Sequence, residues 1–109
     1  MPLTRAFKDT VQARMQRDPA YRRELLREGI ECLVTGDLET GKTILRDYIN
    51  ATVGFEDLSA TLHKSPKSLM RMLGPQGNPR ARNLFDVIVC LQRVERVHLG
   101  ITTRPRSAA

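Results

Sequence analysis

Apolar residues recur at intervals of three and four along almost the whole chain, a spacing that predicts helices and leaves no run with the strict alternation of a half-buried strand. Leu3, Phe7, Val11 and Met15 form an opening stripe. Asp18 followed by Pro19 has the form of an N-cap and first-turn pair. After it Tyr21, Leu25, Leu26, Ile30 and Leu33 carry the apolar face onward until Gly36 stops it. Asp37 is placed to cap a third helix, with inward positions at Leu38, Gly41, Leu45, Tyr48, Ile49 and Thr52, and Gly54 is expected to end it. Two short stripes follow, Phe55, Leu58, Ser59 and Leu62, then Leu69, Met72 and Leu73, where two short helices joined by a tight turn need apolar residues. The stretch therefore reads as a helix-turn-helix. Ser65 is placed to cap its second helix, with Pro66 at the first helical position, where a missing N–H costs nothing. Gly74-Pro75-Gln76-Gly77-Asn78-Pro79 is a breaker cluster and the one obvious loop. Leu84, Phe85, Ile88, Leu91 and Gln92 then open a long last helix running toward Leu99, its apolar face widened by Val87, Val94 and Val97 in a way that suggests a partner.

The expected class is all-α: amphipathic N-terminal helices over 1–36, the helix-turn-helix unit over 37–101, and a tail over 102–109 with nothing to bury, expected to be mobile. At 109 residues these parts make one compact domain of modest size.

Charge singles out the same element. Lys67, Ser68, Met70 and Arg71 point away from the core of the second short helix, and the donors of Lys67, Ser68 and Arg71 suit phosphates and base edges. Between Leu58 and Phe85 the basic residues are Lys64, Lys67, Arg71, Arg80 and Arg82, with no Asp or Glu, so five of the six net positive charges arise there. Such a surface attracts polyanions by counterion release, log affinity falling by roughly 0.9 per neutralised phosphate as log salt rises. The alternative is a solvated basic face that touches nothing.

Composition narrows the classes. Forty per cent apolar residues without Trp imply an ordinary core of Leu, Ile, Val and Met. No apolar run approaches the roughly 20 residues that span a bilayer, and Met1 to Val11 lacks a signal-peptide core, so a cytoplasmic protein without membrane association is expected. Cys32 and Cys90 fall in helical segments and read as buried free thiols rather than a disulfide. There is no Cys-x-x-Cys pair and no clustered His, so no metal or cofactor is expected.

The residues from Leu38 to Thr52, Phe55 to Leu62, Ser65-Pro-Lys-Ser-Leu-Met-Arg-Met-Leu73, and Gly77-Asn-Pro-Arg-Ala-Arg-Asn-Leu-Phe85 resemble a known family. It is the helix-turn-helix antitoxins of bacterial toxin–antitoxin operons, the HigA or addiction module antidote type, within the lambda-repressor-like (Xre) superfamily. The resemblance covers about half the chain. It implies a lambda-repressor-like bundle with additional N-terminal helices, working as a homodimer on an inverted-repeat operator. Such a protein neutralises a small toxin, usually a RelE-like ribonuclease, and represses its own operon. Carried onto this sequence, Lys67, Ser68 and Arg71 become the base-edge candidates, Arg71 best suited to guanine because its fork matches O6 and N7. Lys64, Ser65, Arg80, Arg82 and Asn83 become the phosphate contacts that fix register. Met70 either touches a thymine methyl or is simply a surface Met, and Ser65 and Ser68 have purely local capping as their alternative role. Two positions depart from the family. His63 stands where the turn commonly has Gly, and Phe55 where many relatives place a phosphate-binding Gln; Phe55 reads as core or interface instead.

One motif points to another class. Gly36-Asp-Leu-Glu-Thr-Gly41-Lys42-Thr43 fits the phosphate-loop pattern G-x-x-x-x-G-K-[ST] at every required position. That loop works between a buried strand and a helix, whereas here a helical segment precedes it and Asp37 and Glu39 would put negative charge in the anion cradle. The structural reading has Gly36 ending one helix, Asp37 capping the next, Gly41 allowing close packing, and Lys42 on a solvated face where truncation would be nearly silent. His63 and His98 are far apart, and no Ser or Cys has an activating neighbourhood, so an enzyme is not expected. The rival readings are a stand-alone helix-turn-helix repressor without a toxin and a pure protein-interaction module. The extra N-terminal helices weakly favour the antitoxin over a minimal repressor, with dimerisation or completion of the core as their alternative roles.

Overall fold

A computed structural model describes residues 5–106, with side chains from Asp9 onward. Leu3 and the side chain of Phe7, expected in the opening stripe, and residues 107–109 of the tail lie outside the described part. Six helices make up the described chain, with no strand among the described residues: α1 Arg5–Arg17, α2 Pro19–Thr35, α3 Leu38–Ala51, α4 Gly54–Leu62, α5 Pro66–Met72 and α6 Ala81–Glu95.

The capping chemistry falls where the sequence places it. Asp18 and Asp37 are the N-caps of α2 and α3, their Oδ1 atoms accepting from the Tyr21 and Thr40 amides at 3.2 Å each. Gly36, at φ 101°, adopts the left-handed conformation that lets the Asp37 N–H turn back to the Cys32 carbonyl at 2.8 Å and close the end of α2. α2 and α3 form the most extensive helix pair, and α1 packs on both. Glycine permits the approach: a Cβ on Gly41 would stand 2.6 Å from Leu33 Cδ2 and 2.9 Å from the Gly29 carbonyl oxygen.

The core runs continuously from Leu26 on α2 through Leu45, Tyr48 and Ile49 on α3 and Phe55 and Leu58 on α4. It continues into Leu69 and Leu73 around α5 and Val87, Cys90 and Leu91 on α6. Phe55 is thus a core residue. Both cysteines are free thiols, Cys90 buried and Cys32 half-buried, and burial pushes both thiols above their ordinary range.

Several expectations need correction. Leu38, read as inward, is 53% exposed at the first position of α3, next to the Asp37 cap. Gly54 does not end α3, which stops at Ala51; it opens α4 at φ 78°. The last helix stops at Glu95 rather than running toward Leu99, since Arg96 turns left-handed at φ 59° and the Val97 N–H folds back to the Gln92 carbonyl. Phe85, Val89 and Val94 remain exposed on it. The tail is irregular and exposed over 102–106, with Arg104 bonded to Glu31 at 2.8 Å.

A polar cluster that periodicity does not announce sits inside the bundle. Glu95 is only 2% exposed in its side chain, and Arg22 grips it bidentately, Nε to Oε1 at 2.6 Å and Nη2 to Oε2 at 3.0 Å. The buried Tyr48 hydroxyl donates to Oε1 at 2.6 Å, and Arg22 Nη1 also donates to the Met15 carbonyl at 3.0 Å. The Glu95 carboxylate thereby joins α2, α3 and α6, and Arg22 extends the link to α1.

Candidate functional site

The turn between α4 and α5 is built by two residues. His63 takes φ 55° and ψ 42°, a left-handed geometry that a β-branched side chain would resist and that His tolerates. The Ser59 hydroxyl donates to the Lys64 carbonyl across the turn. Ser65 then caps α5: its Oγ accepts from the Ser68 amide at 3.1 Å and donates to Ser68 Oγ at 2.8 Å. Since Ser68 Oγ accepts that bond, its own O–H stays available to an outside acceptor. Leu69 is fully buried and Met72 partly, while Lys67, Ser68, Met70 and Arg71 face solvent.

Beyond α5 the loop folds back tightly on the helix end. The Gly74 N–H donates to the Arg71 carbonyl at 3.1 Å and the Gly77 N–H to the Gly74 carbonyl at 2.9 Å. A Cβ on Gly77 would stand 2.2 Å from the Arg71 carbonyl oxygen and 2.4 Å from that of Met72, so only glycine fits here. Into this cluster of carbonyls projects Lys42 from α3. The residue is 4% exposed, and its Nζ donates to the Gly74 oxygen at 3.0 Å and the Gly77 oxygen at 2.9 Å, with Glu39 Oε1 3.0 Å away on the outer side. The expectation of a Lys42 on a solvated face is wrong. Its ammonium spends two donors on backbone carbonyls and faces Glu39 with the third, and the helical pattern of α3 does not reveal the two carbonyls because they lie more than thirty residues away. The Gly36–Thr43 motif itself lies across the α2–α3 turn and the first half of α3, where its backbone is helical from Leu38 and the Thr43 hydroxyl donates to the Glu39 carbonyl at 2.9 Å.

An open cleft of about 460 Å³ lies between α5, the loop and the start of α6. It gathers Lys64, Ser65, Ser68, Arg71, Arg80 and Asn83, six of the eight residues singled out in the sequence. Lys67 and Arg82 do not line it; both are exposed in the first turns of α5 and α6. Its cations are Lys64, Arg71 and Arg80, and no carboxylate lines it. Arg80 is the N-cap of α6 without a side-chain cap bond, so the partial positive end of that helix borders the same cleft. Gln76, Gly77, Asn78 and Pro79 also line it and were missed as site residues. The breaker cluster marked them as a loop, but only its packing against the end of α5 makes them a wall.

The chemistry this arrangement supports is anion binding by convergent cations, amides and hydroxyls along an open groove. Among the described residues no group of three or more His, Cys, Asp or Glu could hold a metal, and no helix is long and apolar enough to cross a membrane. The class that fold and site define is an all-helical protein with a cationic cleft at a short helix pair. Comparisons with protein-family models, with curated proteins and with solved structures give no match.

Proposed function

We propose that the protein binds duplex DNA sequence-specifically, with α4 and α5 acting as a lambda-repressor-like helix-turn-helix and α5 entering the major groove. The observation that carries this reading is the cleft, where Lys64, Arg71 and Arg80 converge beside the exposed face of α5 with no acidic residue among them. Lys67, Ser68 and Arg71 read base edges, and Lys64, Ser65, Arg80, Arg82 and Asn83 hold phosphate. Two copies bind an inverted repeat whose half-sites lie about one helical turn, roughly 34 Å, apart. In its full form the reading is an antitoxin that represses its own operon and neutralises a RelE-like ribonuclease; the α1–α2 pair, which a minimal DNA reader does not need, supports it.

The contact classes separate by mutation. Arg71→Ala is expected to cost about 1–3 kcal/mol at the preferred site and to flatten discrimination at one base pair. Arg80→Ala is expected to weaken all sequences alike and to reduce the salt slope by about one per lost phosphate contact. Fluorescence anisotropy against the preferred duplex and a scrambled one, across a salt series, checks both; identical, sequence-independent losses would remove Arg71 from base readout. Selection of duplexes from a random library tests DNA binding as such, and no enrichment at physiological salt would sink it. Rescue of growth when the protein is co-expressed with the product of a neighbouring basic, RelE-like reading frame tests the antitoxin role.

A further inference from the structure

We propose that Lys42 is a positioning residue for the cleft: its buried ammonium clamps the Gly74–Gly77 turn against the end of α5, so that the wall carrying Asn78, Pro79 and Arg80 is already in place before a ligand arrives. The inference rests on the DNA-binding reading only for the identity of that ligand.

Three observations converge on it. Lys42 is 4% exposed and cannot itself reach a polyanion on the surface, so any effect on binding must pass through what it holds. What it holds is the two carbonyls at the ends of one turn, Gly74 at 3.0 Å and Gly77 at 2.9 Å. That turn has few other ties: the Gly77 N–H to Gly74 bond lies within it, and Gly74 N–H to Arg71 joins it to α5. The Gly77 backbone is also pressed against the Arg71 and Met72 carbonyls, the negative end of α5. The Gly74 and Gly77 carbonyl oxygens converge on one ammonium, and without that cation between them they would repel one another. Without it the turn relaxes outward, and Arg80, three residues beyond Gly77, loses its place in the cleft wall. Ordering a loop of this length at the moment of binding would lower affinity, and the clamp moves that ordering into folding.

The test compares Lys42→Met, which keeps the apolar stem and removes the cation, with Lys42→Arg, which restores charge and donors. Two readouts are followed: hydrogen exchange of the Gly77 amide relative to core amides such as Leu45 and Leu91, and affinity for the duplex that the protein enriches from a random library, measured per folded molecule. Lys42→Met is expected to speed Gly77 exchange about tenfold beyond any change at the core amides. It is also expected to weaken the enriched duplex about tenfold, with a smaller loss on random DNA, because the wall's geometry is lost while surface charge is kept. Lys42→Arg is expected to recover part of both. Gly77 exchange that moves only in step with the core amides, with affinity per folded molecule within about twofold of the parent, would reduce Lys42 to a general stabiliser and overturn the proposal. If Lys42→Met does not fold, Lys42→Arg alone decides: local loosening at Gly77 with a matching partial loss of affinity supports the clamp, and no local change overturns it. If the parent enriches no duplex, the DNA reading fails, and the exchange comparison still judges the clamp.

Discussion

Replacing Glu95 by Ala is expected to destabilise the fold by about 3–5 kcal/mol, the range for removing one partner of a buried ion pair. The truncation strands two groups at once. Arg22, 20% exposed, loses both bonds of its fork, and the buried Tyr48 hydroxyl loses its acceptor. Part of the Arg22 charge can hydrate, which sets the lower end of the range. Glu95→Gln keeps an acceptor for Tyr48 and one for Arg22, so about 1–3 kcal/mol is expected, and Tyr48→Phe about 1 kcal/mol, because the carboxylate keeps its Arg22 fork. Urea unfolding at neutral pH measures all three. A loss under 1 kcal/mol for Glu95→Ala would mean that the network contributes little beyond its geometry.

The same carboxyl carries a pH signature. Burial pushes its pKa up, but the hydrogen bonds from Arg22 and Tyr48 and the charges of Arg22 and Arg23 outweigh that and hold it below the ordinary Glu value. A carboxyl depressed by folding binds its proton more readily in the unfolded chain. Its stabilisation is therefore complete above the ordinary value of about 4.3 and is lost as pH falls through the lower folded value. The urea midpoint of the parent should fall more steeply on the acid side than that of Glu95→Gln, the two converging as the carboxyl protonates. Parallel acid limbs would show that Glu95 does not titrate as the structure implies.

Gly77→Ala is the second large effect, with an expected cost on the order of 3 kcal/mol, at the upper end of overpacking. The obstacles at 2.2 and 2.4 Å are backbone oxygens of α5, which have no rotamer by which to yield, so the loop itself must move. Displacing it pulls the Gly77 carbonyl away from Lys42 and opens the cleft wall, so binding should weaken along with stability. Gly100→Ala is the control, since a Cβ there meets nothing within 4 Å, and its expected change lies within about 0.5 kcal/mol. Thermal unfolding of the two variants side by side checks the difference. A Gly77→Ala protein as stable as the Gly100→Ala one would show that the turn shifts without penalty.

Much of this architecture was legible in the chain. The all-helical class, the caps at Asp18, Asp37 and Ser65, the stop at Gly36 and the buried faces of α4 and α5 follow from interactions within a few residues, where spacing and side-chain chemistry are sufficient. The exposure of Lys67, Ser68 and Arg71 follows from the same periodicity, because burying Leu69, Met72 and Leu73 leaves them no other side.

What the tertiary structure alone decided are the partners of charged residues that sit on helices looking like any solvated pair. Glu95 lies near the C-terminus of α6, where the helix dipole disfavours an acid, and it is tolerated only because Arg22 and Tyr48 arrive from sequence separations of 73 and 47. Lys42 reads as a surface lysine in a phosphate-loop pattern until the Gly74 and Gly77 carbonyls are brought to it across separations of 32 and 35. Local pattern reports which face of a helix is apolar. It does not report which distant carbonyl or carboxylate will meet a charge that the packing buries, because that depends on how the helices cross, and the cleft inherits its shape from those crossings.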